Sequence, residues 1–573
     1  MINLFIPSNS TIRCIPLPRY IEYPPPTRIR FPLIDNKPLP RSILQMLPRP
    51  LARLVLALLI AISAIGIGML FNRLLFSRSV LFSPPFSKSF WTSSSLSSTM
   101  SAQPVIVVGS GLAGLSAAHE ALKAGASVRM FERGAKTGGN SIKASSGING
   151  ANSRYQKAKG IDKDELFYGD TVRSAGKLFK ETSHKGLNRE ALVQKLTKES
   201  ASAVEWLADE FGVDLSKVAP LGGHSIARTH RGAGKSPPGF AIVSTLTKKL
   251  EENPKFELST SSEVTALDVT DGKVTGVTVK KEDTDETVKG SVVFAAGGFA
   301  GDAKGLLAKY RPDLEGFPST NDARPAAHPV LSAAGAEAID MESVQIHPTG
   351  FVDLKEPYAP NKFLAAEVLR GEGGILLSSS GERFINELEK RDVVSNGIMK
   401  LPSDSTEEGK LWKVTLLLDP GACEATAMHI GFYIFKGLVE KKKVKDLSPE
   451  IIKAVDKYSE AVASGVADEF GRPSYGHWRL KAGEENREEE VCVGVITPVV
   501  HFTMGGFAIN TDAQVLKKGA DGEALTAIPG LWAAGEITGG IHGDNRLGGS
   551  SLLECVVYGR EAGRQAAKAA STA

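Results

Sequence analysis

PVIVVGSGLAGLSAAHEALKAGASVRMFER, residues 104–133, is the stretch whose reading decides the fold. VIVV at 105–108 is a short apolar run of strand type, and 112–124 continues as an Ala/Leu-rich helix. VRMF at 128–131 gives a second strand, ending at Glu132 and Arg133. Between the first strand and the helix, Gly109, Gly111 and Gly114 form GxGxxG. The first glycine makes the tight turn, the second lets backbone approach a pyrophosphate, and the third permits close packing of helix on strand. The anion then sits at the helix N-terminus, where unpaired N–H groups converge. Glu132 is placed to bind ribose hydroxyls, which favours an unphosphorylated ribose. A lone GxGxxG is weak, but strand, glycines, helix, strand and acid in register predict a doubly wound α/β dinucleotide domain.

Working outward, GGNS at 138–141 and ASSGING at 144–150 form a Gly/Ser/Asn loop whose backbone can run beside a flat ring with few side chains in the way. Residues 256–299 alternate strand-like runs around an Asp271-Gly272 turn and end in VVFAAGGF at 292–299. Near the C-terminus GLWAAGE (530–536) reads as a strand running into a carboxylate, and GGIHGDNRLGGSS (539–551) follows. Gly-rich turns hundreds of residues apart point to one extended cofactor touched from several places, which favours FAD over NAD. The candidate cofactor contacts are Gly109, Gly111, Ala113, Gly114, Glu132, Arg133, Gly139, Asn140, Ser141, Ser145, Gly147, Asn149, Gly150, Ala296, Gly297, Glu536, Ser551 and Leu552.

The chain has 573 residues, 42% of them hydrophobic and 23% charged, an ordinary globular balance able to fill a sizeable core. Its net charge of +4 sits largely in residues 1–53, where eight Arg and Lys face Glu22 and Asp35, so the excess does not argue for nucleic acid. Cys14, Cys423, Cys492 and Cys555 are far apart, with no CxxC or Cys/His cluster. Iron–sulfur, c-type haem and zinc sites therefore lack their ligand spacing, and no metal is expected. Residues 1–100 read as a largely disordered targeting or anchoring extension. Within it LVLALLIAISAIGIGMLF (54–71), flanked by Arg53 and Arg73, is at the lower limit for spanning a bilayer. Three readings stand together: a signal anchor forming a transmembrane helix, a long organelle presequence for mitochondrion or endoplasmic reticulum, or an upstream extension with initiation at Met100 and a cytoplasmic product.

Three further islands carry candidate chemistry. QIHPTG (345–350) holds His347; EVLRGEGG (367–374) is followed by GERFINE (381–387) and KRD (390–392); HFTMGG (501–506) and NRLGG (545–549) supply His501 and Arg546. A planar guanidinium binds a carboxylate through two parallel hydrogen bonds, so such arginines suit an acidic substrate. Taken singly, each has a bland reading: a core histidine, a solvated ion pair Glu367/Arg370 at helical spacing, a loop bridge at Arg391-Asp392. Taken in order around a flavin-binding frame, they resemble the flavoproteins of the fumarate reductase/succinate dehydrogenase group, over residues 104–570. The likeness extends to the soluble fungal fumarate reductases and to the flavin domain of bacterial flavocytochrome fumarate reductases.

That resemblance implies reduction of fumarate to succinate by hydride transfer from flavin N5, with Arg391 as proton donor refilled through Glu367 and Arg370. It implies that His347, His501 and Arg546 bind the substrate carboxylates. In the relatives with covalent flavin, a His in the loop after the first βαβ unit carries it; residues 138–154 contain none, so FAD is expected to be noncovalent. With no haem or iron–sulfur ligands, electrons are expected from reduced FAD, reduced FMN or NADH. The expected architecture is an FAD domain over 101–344 and 501–573, with an α+β capping domain at 345–500 and the substrate at their junction. Two rivals remain: a sister enzyme acting on another unsaturated or amino acid, and a docked flavoprotein that only passes electrons to a membrane partner. The basic stretch 224–235 (HSIARTHRGAGK) is a further candidate lid or phosphate contact.

Overall fold

The computed structural model describes residues 103–180, 185–234, 236–281, 284–519 and 524–572. The extension 1–100, with its apolar run at 54–71, lies outside the described residues. Among those residues no helix is long and apolar enough to cross a membrane.

Val105–Val108 forms the centre of a six-stranded sheet, with Val128–Phe131 and then Phe256–Ser259 on one side. On its other side lie Ser291–Phe294, Thr526–Ala533 and the edge strand Gln514–Lys517. All neighbours run parallel except the last pair, which is antiparallel. Such a sheet needs cover on both faces, and this explains why VIVV is apolar without alternation and wholly buried. Leu112–Lys123 covers one face and is itself covered by the terminal helix Ser550–Ser571. Their approach is set by Gly559 and Gly563. A Cβ on Gly563 would lie 2.2 Å from the Ala117 carbonyl oxygen, and one on Gly559 2.5 Å from that of Ala113. The clash is with backbone, which cannot swing aside. Gly563→Val should therefore destabilise the protein by about 2–3 kcal/mol, read as a lowered urea midpoint; an unchanged midpoint would mean the helices can part at no cost.

A three-stranded antiparallel unit, Ser262–Thr270, Lys273–Lys281 and Thr284–Lys289, rises from the sheet. Its first turn is the expected Asp271-Gly272 pair, both left-handed at φ 50° and 74°, the conformation a tight hairpin requires. After Ser291–Phe294 the chain crosses to a second sheet of mostly antiparallel hairpin type. Its order is Phe363–Leu364, Val344–Phe351, Glu490–Thr503, Val414–Leu418, Ile375–Leu377, with Val439–Lys443 also paired to Glu490–Thr503. This sheet has its own apolar cores, around Phe351, Leu416 and Ile496 and around Leu377, Tyr458 and Trp478. It constitutes the cap on a Rossmann-like frame. The 14-residue strand Glu490–Thr503 runs straight through position 500, where the sequence placed a junction.

Candidate active site

One continuous cleft joins the glycine turn to the cap. At one end it is lined by Gly109, Gly111, Glu132, Ser141 and Gly297, at the other by His347, Glu367, Arg391, His501 and Arg546. Each feature of the first end fits a dinucleotide. A Cβ on Gly109 would lie 2.5 Å from the Ala295 oxygen, and one on Gly114 2.0 Å from the Gly109 oxygen, so both glycines are fixed by packing. Gly111 is different: as the N-cap of Leu112–Lys123 it has no side chain of its own, Ser141 Oγ accepts from Leu112 N (3.1 Å), and a Cβ on Gly111 would meet nothing closer than that oxygen at 3.6 Å. Gly111, Leu112 and Ala113 line the cleft at this helix N-terminus, where N–H groups and the helix dipole suit an anion. Gly297 also faces open space. Ser145 Oγ is buried without a hydrogen-bond partner, an orphan that a bound cofactor would satisfy. Glu132 accepts from Ser110 N and Oγ (3.0 and 2.7 Å) and from Gly134 N (2.7 Å), which orients its carboxylate at the cleft wall. Arg133 donates to the Pro325 carbonyl (2.7 Å) beside it.

Ala113, Gly139, Asn140, Gly147, Ala296, Glu536, Ser551 and Leu552 also line the cleft. Burial pushes the Glu536 carboxyl up to about 7, against hydrogen bonds from Thr503 N and Oγ1 (3.0 and 3.2 Å). Gly114, Asn149 and Gly150 do not line it. Asn149 instead fastens the loop to the start of the terminal helix, donating to the Gly548 carbonyl (2.7 Å) and Ser550 Oγ (3.1 Å) and accepting from Thr229 Oγ1 (2.7 Å). Gly150 is needed because a Cβ there would lie 2.7 Å from Val204. These residues shape the cofactor wall from behind.

The other end is built by the cap's two central strands. His347 lies opposite Val499, while Gln345 pairs with Phe502 and Ile346 with Val500, leaving His501 as the extra residue of a β-bulge. Bulges re-aim side chains, and this one brings the His501 and His347 rings to 5.5 Å between centroids. Thr349 engages His347 Nδ1 (N at 3.2 Å) and Thr320 Oγ1 engages His501 Nδ1 (3.3 Å). Burial holds both imidazoles well below their usual range, with Arg391 adding to the effect at His347 and the neighbouring His347 at His501. Both rings are neutral at neutral pH and can offer an N–H without a charge.

Arg391 opens the helix Arg391–Met399 and clamps one carboxylate oxygen of Glu367 through Nη2 (2.7 Å) and Nε (3.0 Å). Burial opposes the charge on Glu367, but Arg391 and Arg370 outweigh it and hold the carboxyl down at about 2. Arg546 is buried over the Phe502 ring, 4.4 Å from its centroid, and makes no ion pair among the described residues. Burial, then Arg391, push its guanidinium down to about 9. Gln345 sits between the two cations: its Oε1 accepts from Arg546 Nη2 (2.8 Å) and Arg391 Nη1 (3.3 Å). Its amide donates to Asn545 Oδ1 (2.7 Å) and the Arg546 carbonyl (2.9 Å). Sequence reasoning passed over Gln345, although it is the first residue of the QIHPTG run; only the fold shows that it spaces two arginines.

Two expectations change. Glu367 and Arg370, three apart, do not form the expected helical ion pair. Glu367 is the N-cap of the four-residue helix Val368–Gly371, too short to align them, and its partner is Arg391, 24 positions on. Arg370 is buried off the cleft, donates to the Glu387 carbonyl and acts on Glu367 through its field. The stretch 224–234 is no lid. Arg228 is fully buried, donating to Asp164 (2.8 Å) and Asp170 (2.7 Å), His224 meets the Gly548 carbonyl at 2.9 Å, and none of 224–234 lines the cleft; Lys235 lies outside the described residues.

Comparison with known proteins agrees with this geometry. Residues 104–552 match the FAD binding domain family. Fumarate reductase 1 of Saccharomyces cerevisiae is 41% identical over 489 residues, 81% of this chain and 98% of that protein. Fumarate reductase of Schizosaccharomyces pombe is 39% identical over 490 residues, 82% of this chain and 90% of that protein. Among solved structures, the open conformation of a flavocytochrome c3 fumarate reductase superposes with a TM-score of 0.66 at 32% identity, covering 82% of this chain and 78% of that one.

Proposed function

Because the chain belongs to the FAD-binding flavoprotein family of the fumarate reductases, we propose that it reduces fumarate to succinate with noncovalently held FAD. The observation that carries this reading is the cationic end of the cleft, where Arg546 and Arg391 are spaced by Gln345 and faced by two neutral histidines. A short diacid needs donors at both of its ends, and a monoacid leaves one of these buried donors unmatched. Such a mismatch costs a substrate on the order of 10²-fold or more in kcat/KM. Fumarate is therefore preferred over methacrylate or urocanate.

Held along Gly109, Gly111, Glu132 and Ser145, FAD in its reduced form would supply the hydride for one alkene carbon. The protein supplies everything else. Arg546 and His501 hold one carboxylate and His347 the other, with their charge and N–H groups placed where negative charge builds up. Arg391 delivers a proton to the second alkene carbon. Glu367, bound to two of its nitrogens, takes a proton from solvent water and passes it to the deprotonated Arg391, then returns to the carboxylate form that Arg391 and the field of Arg370 favour. We assign the FAD-binding part to 101–344 and 501–573 and the cap to 345–500. Reduced FAD, reduced FMN or NADH serves as the diffusible donor.

The test is anaerobic turnover by the purified full-length protein with reduced FMN. Fumarate should disappear with stoichiometric succinate. Faster turnover of methacrylate, urocanate or L-aspartate would assign a sister activity, and no turnover of any acid would assign a docked electron carrier.

A further inference from the structure

The helix Ala427–Phe435, AMHIGFYIF, contains no charged residue and presents much of its apolar surface to solvent. Ile430 and Tyr433 anchor it in the cap core, with Tyr433 Oη donating to the Leu364 carbonyl (2.9 Å). The opposite side exposes Met428 (45%), Phe432 (46%) and Phe435 (82%), beside Phe363 (46%) of the neighbouring strand. These form one patch: Lys436 Nζ lies 5.5, 5.8 and 5.9 Å from the ring centroids of Phe363, Phe432 and Phe435. Leaving several large apolar side chains together in water is costly, and such patches on soluble folds mark docking surfaces. Phe363 points away from the cleft, because its strand neighbour Leu364 lines it, so the patch is no part of the catalytic end.

We propose that this face of the cap rests on an anionic lipid bilayer. Aromatic side chains with lysine at their rim are what the headgroup boundary accepts, the rings entering the acyl edge and the ammonium meeting phosphates. Beyond Lys436, the strand Val439–Lys443 exposes Lys441, Lys442 and Lys443, which pair with the exposed Glu490, Glu440 and Glu488. Exposed pairs of that kind are worth little and exchange readily for lipid phosphate. A second copy of the chain is a poorer occupant, since a two-fold contact would set these lysines against each other. The sequence supplies a reason to be near a bilayer. The uncharged apolar run 54–71 lies roughly thirty residues before the first described residue, and a chain of that length spans at most about 100 Å. Any bilayer that takes up 54–71 holds the patch at high effective concentration beside its surface.

The full chain carrying Phe435→Trp is mixed with phosphatidylcholine vesicles, with and without phosphatidylserine, whose acyl chains are brominated. The added indole should be quenched about twofold more than the native tryptophans when phosphatidylserine is present. The full chain with Phe432→Ser and Phe435→Ser should bind those vesicles about tenfold more weakly and reduce fumarate at the unchanged rate. An indole left unquenched on both vesicle types overturns the proposal. So does one that becomes shielded without lipid as protein concentration rises, which assigns the face to a second copy.

Discussion

Arg391→Ala should lower fumarate reduction by about 10³–10⁴-fold, the full contribution expected of a positioned proton donor, while the purified protein keeps its normal FAD content. The two halves of this expectation have separate structural grounds. Arg391 touches Glu367 and Gln345 at the cap end of the cleft, whereas the turn Gly109–Gly114, Glu132 and the orphaned Ser145 Oγ are at the other end, so cofactor retention does not depend on it. Removing the guanidinium also removes the main positive charge acting on Glu367, leaving Arg370 and the Gly222 backbone against burial, so its carboxyl should climb from about 2. Arg391→Lys keeps a charge but offers one point donor in place of a fork. It should recover only a small part of the rate. Stopped-flow oxidation of the reduced protein by fumarate measures the step directly. Retention of more than about a tenth of the rate in Arg391→Ala would assign proton delivery elsewhere.

The sequence carries the frame of this protein openly because its signals are local. VIVV, the glycine triplet, the Ala-rich helix and the Asp271-Gly272 turn each specify their conformation within a few residues, and each is found where its chemistry requires. The site is legible only in part. His347 and His501 can be named from motifs, but the bulge that turns them toward each other depends on strand register between segments about 150 residues apart. Spacing along the chain suggested Glu367 with Arg370, yet a helix of four residues cannot enforce helical spacing, and the ion pair forms with Arg391 through tertiary packing. Gln345 was invisible for the opposite reason: an amide carries no charge to mark it, and its importance comes from the two arginines it separates. The exposed aromatics of Ala427–Phe435 carry no mark in the sequence either, since periodicity reports an apolar face without saying what it meets.

Arg546→Leu separates binding from folding at this site. A buried guanidinium with no ion pair among the described residues is expensive to hold, and Nε has no hydrogen-bond partner. Its neighbours Gln345 and Phe502 do not compensate it fully, because burial, then Arg391, bring it down to about 9. In the proposed function, the missing counter-charge is what a substrate carboxylate brings. Replacing Arg546 by leucine should therefore raise KM for fumarate by on the order of 10²–10³-fold and leave the thermal midpoint unchanged or higher. The native protein carries a second signature of the same residue. Below about 9 the guanidinium is charged and KM should be flat; above it the free site loses its cation, and KM should climb about tenfold for each further pH unit. A dianion that binds only the charged form must then take up a proton as it enters, which calorimetry of succinate binding in buffers of different ionisation enthalpy will detect. Arg546→Lys should move the inflection to lower pH, since a buried ammonium gives up its proton more readily. If KM stays level through the alkaline limb, or if leucine costs stability without weakening binding, Arg546 is part of the fold and the diacid is held by other groups.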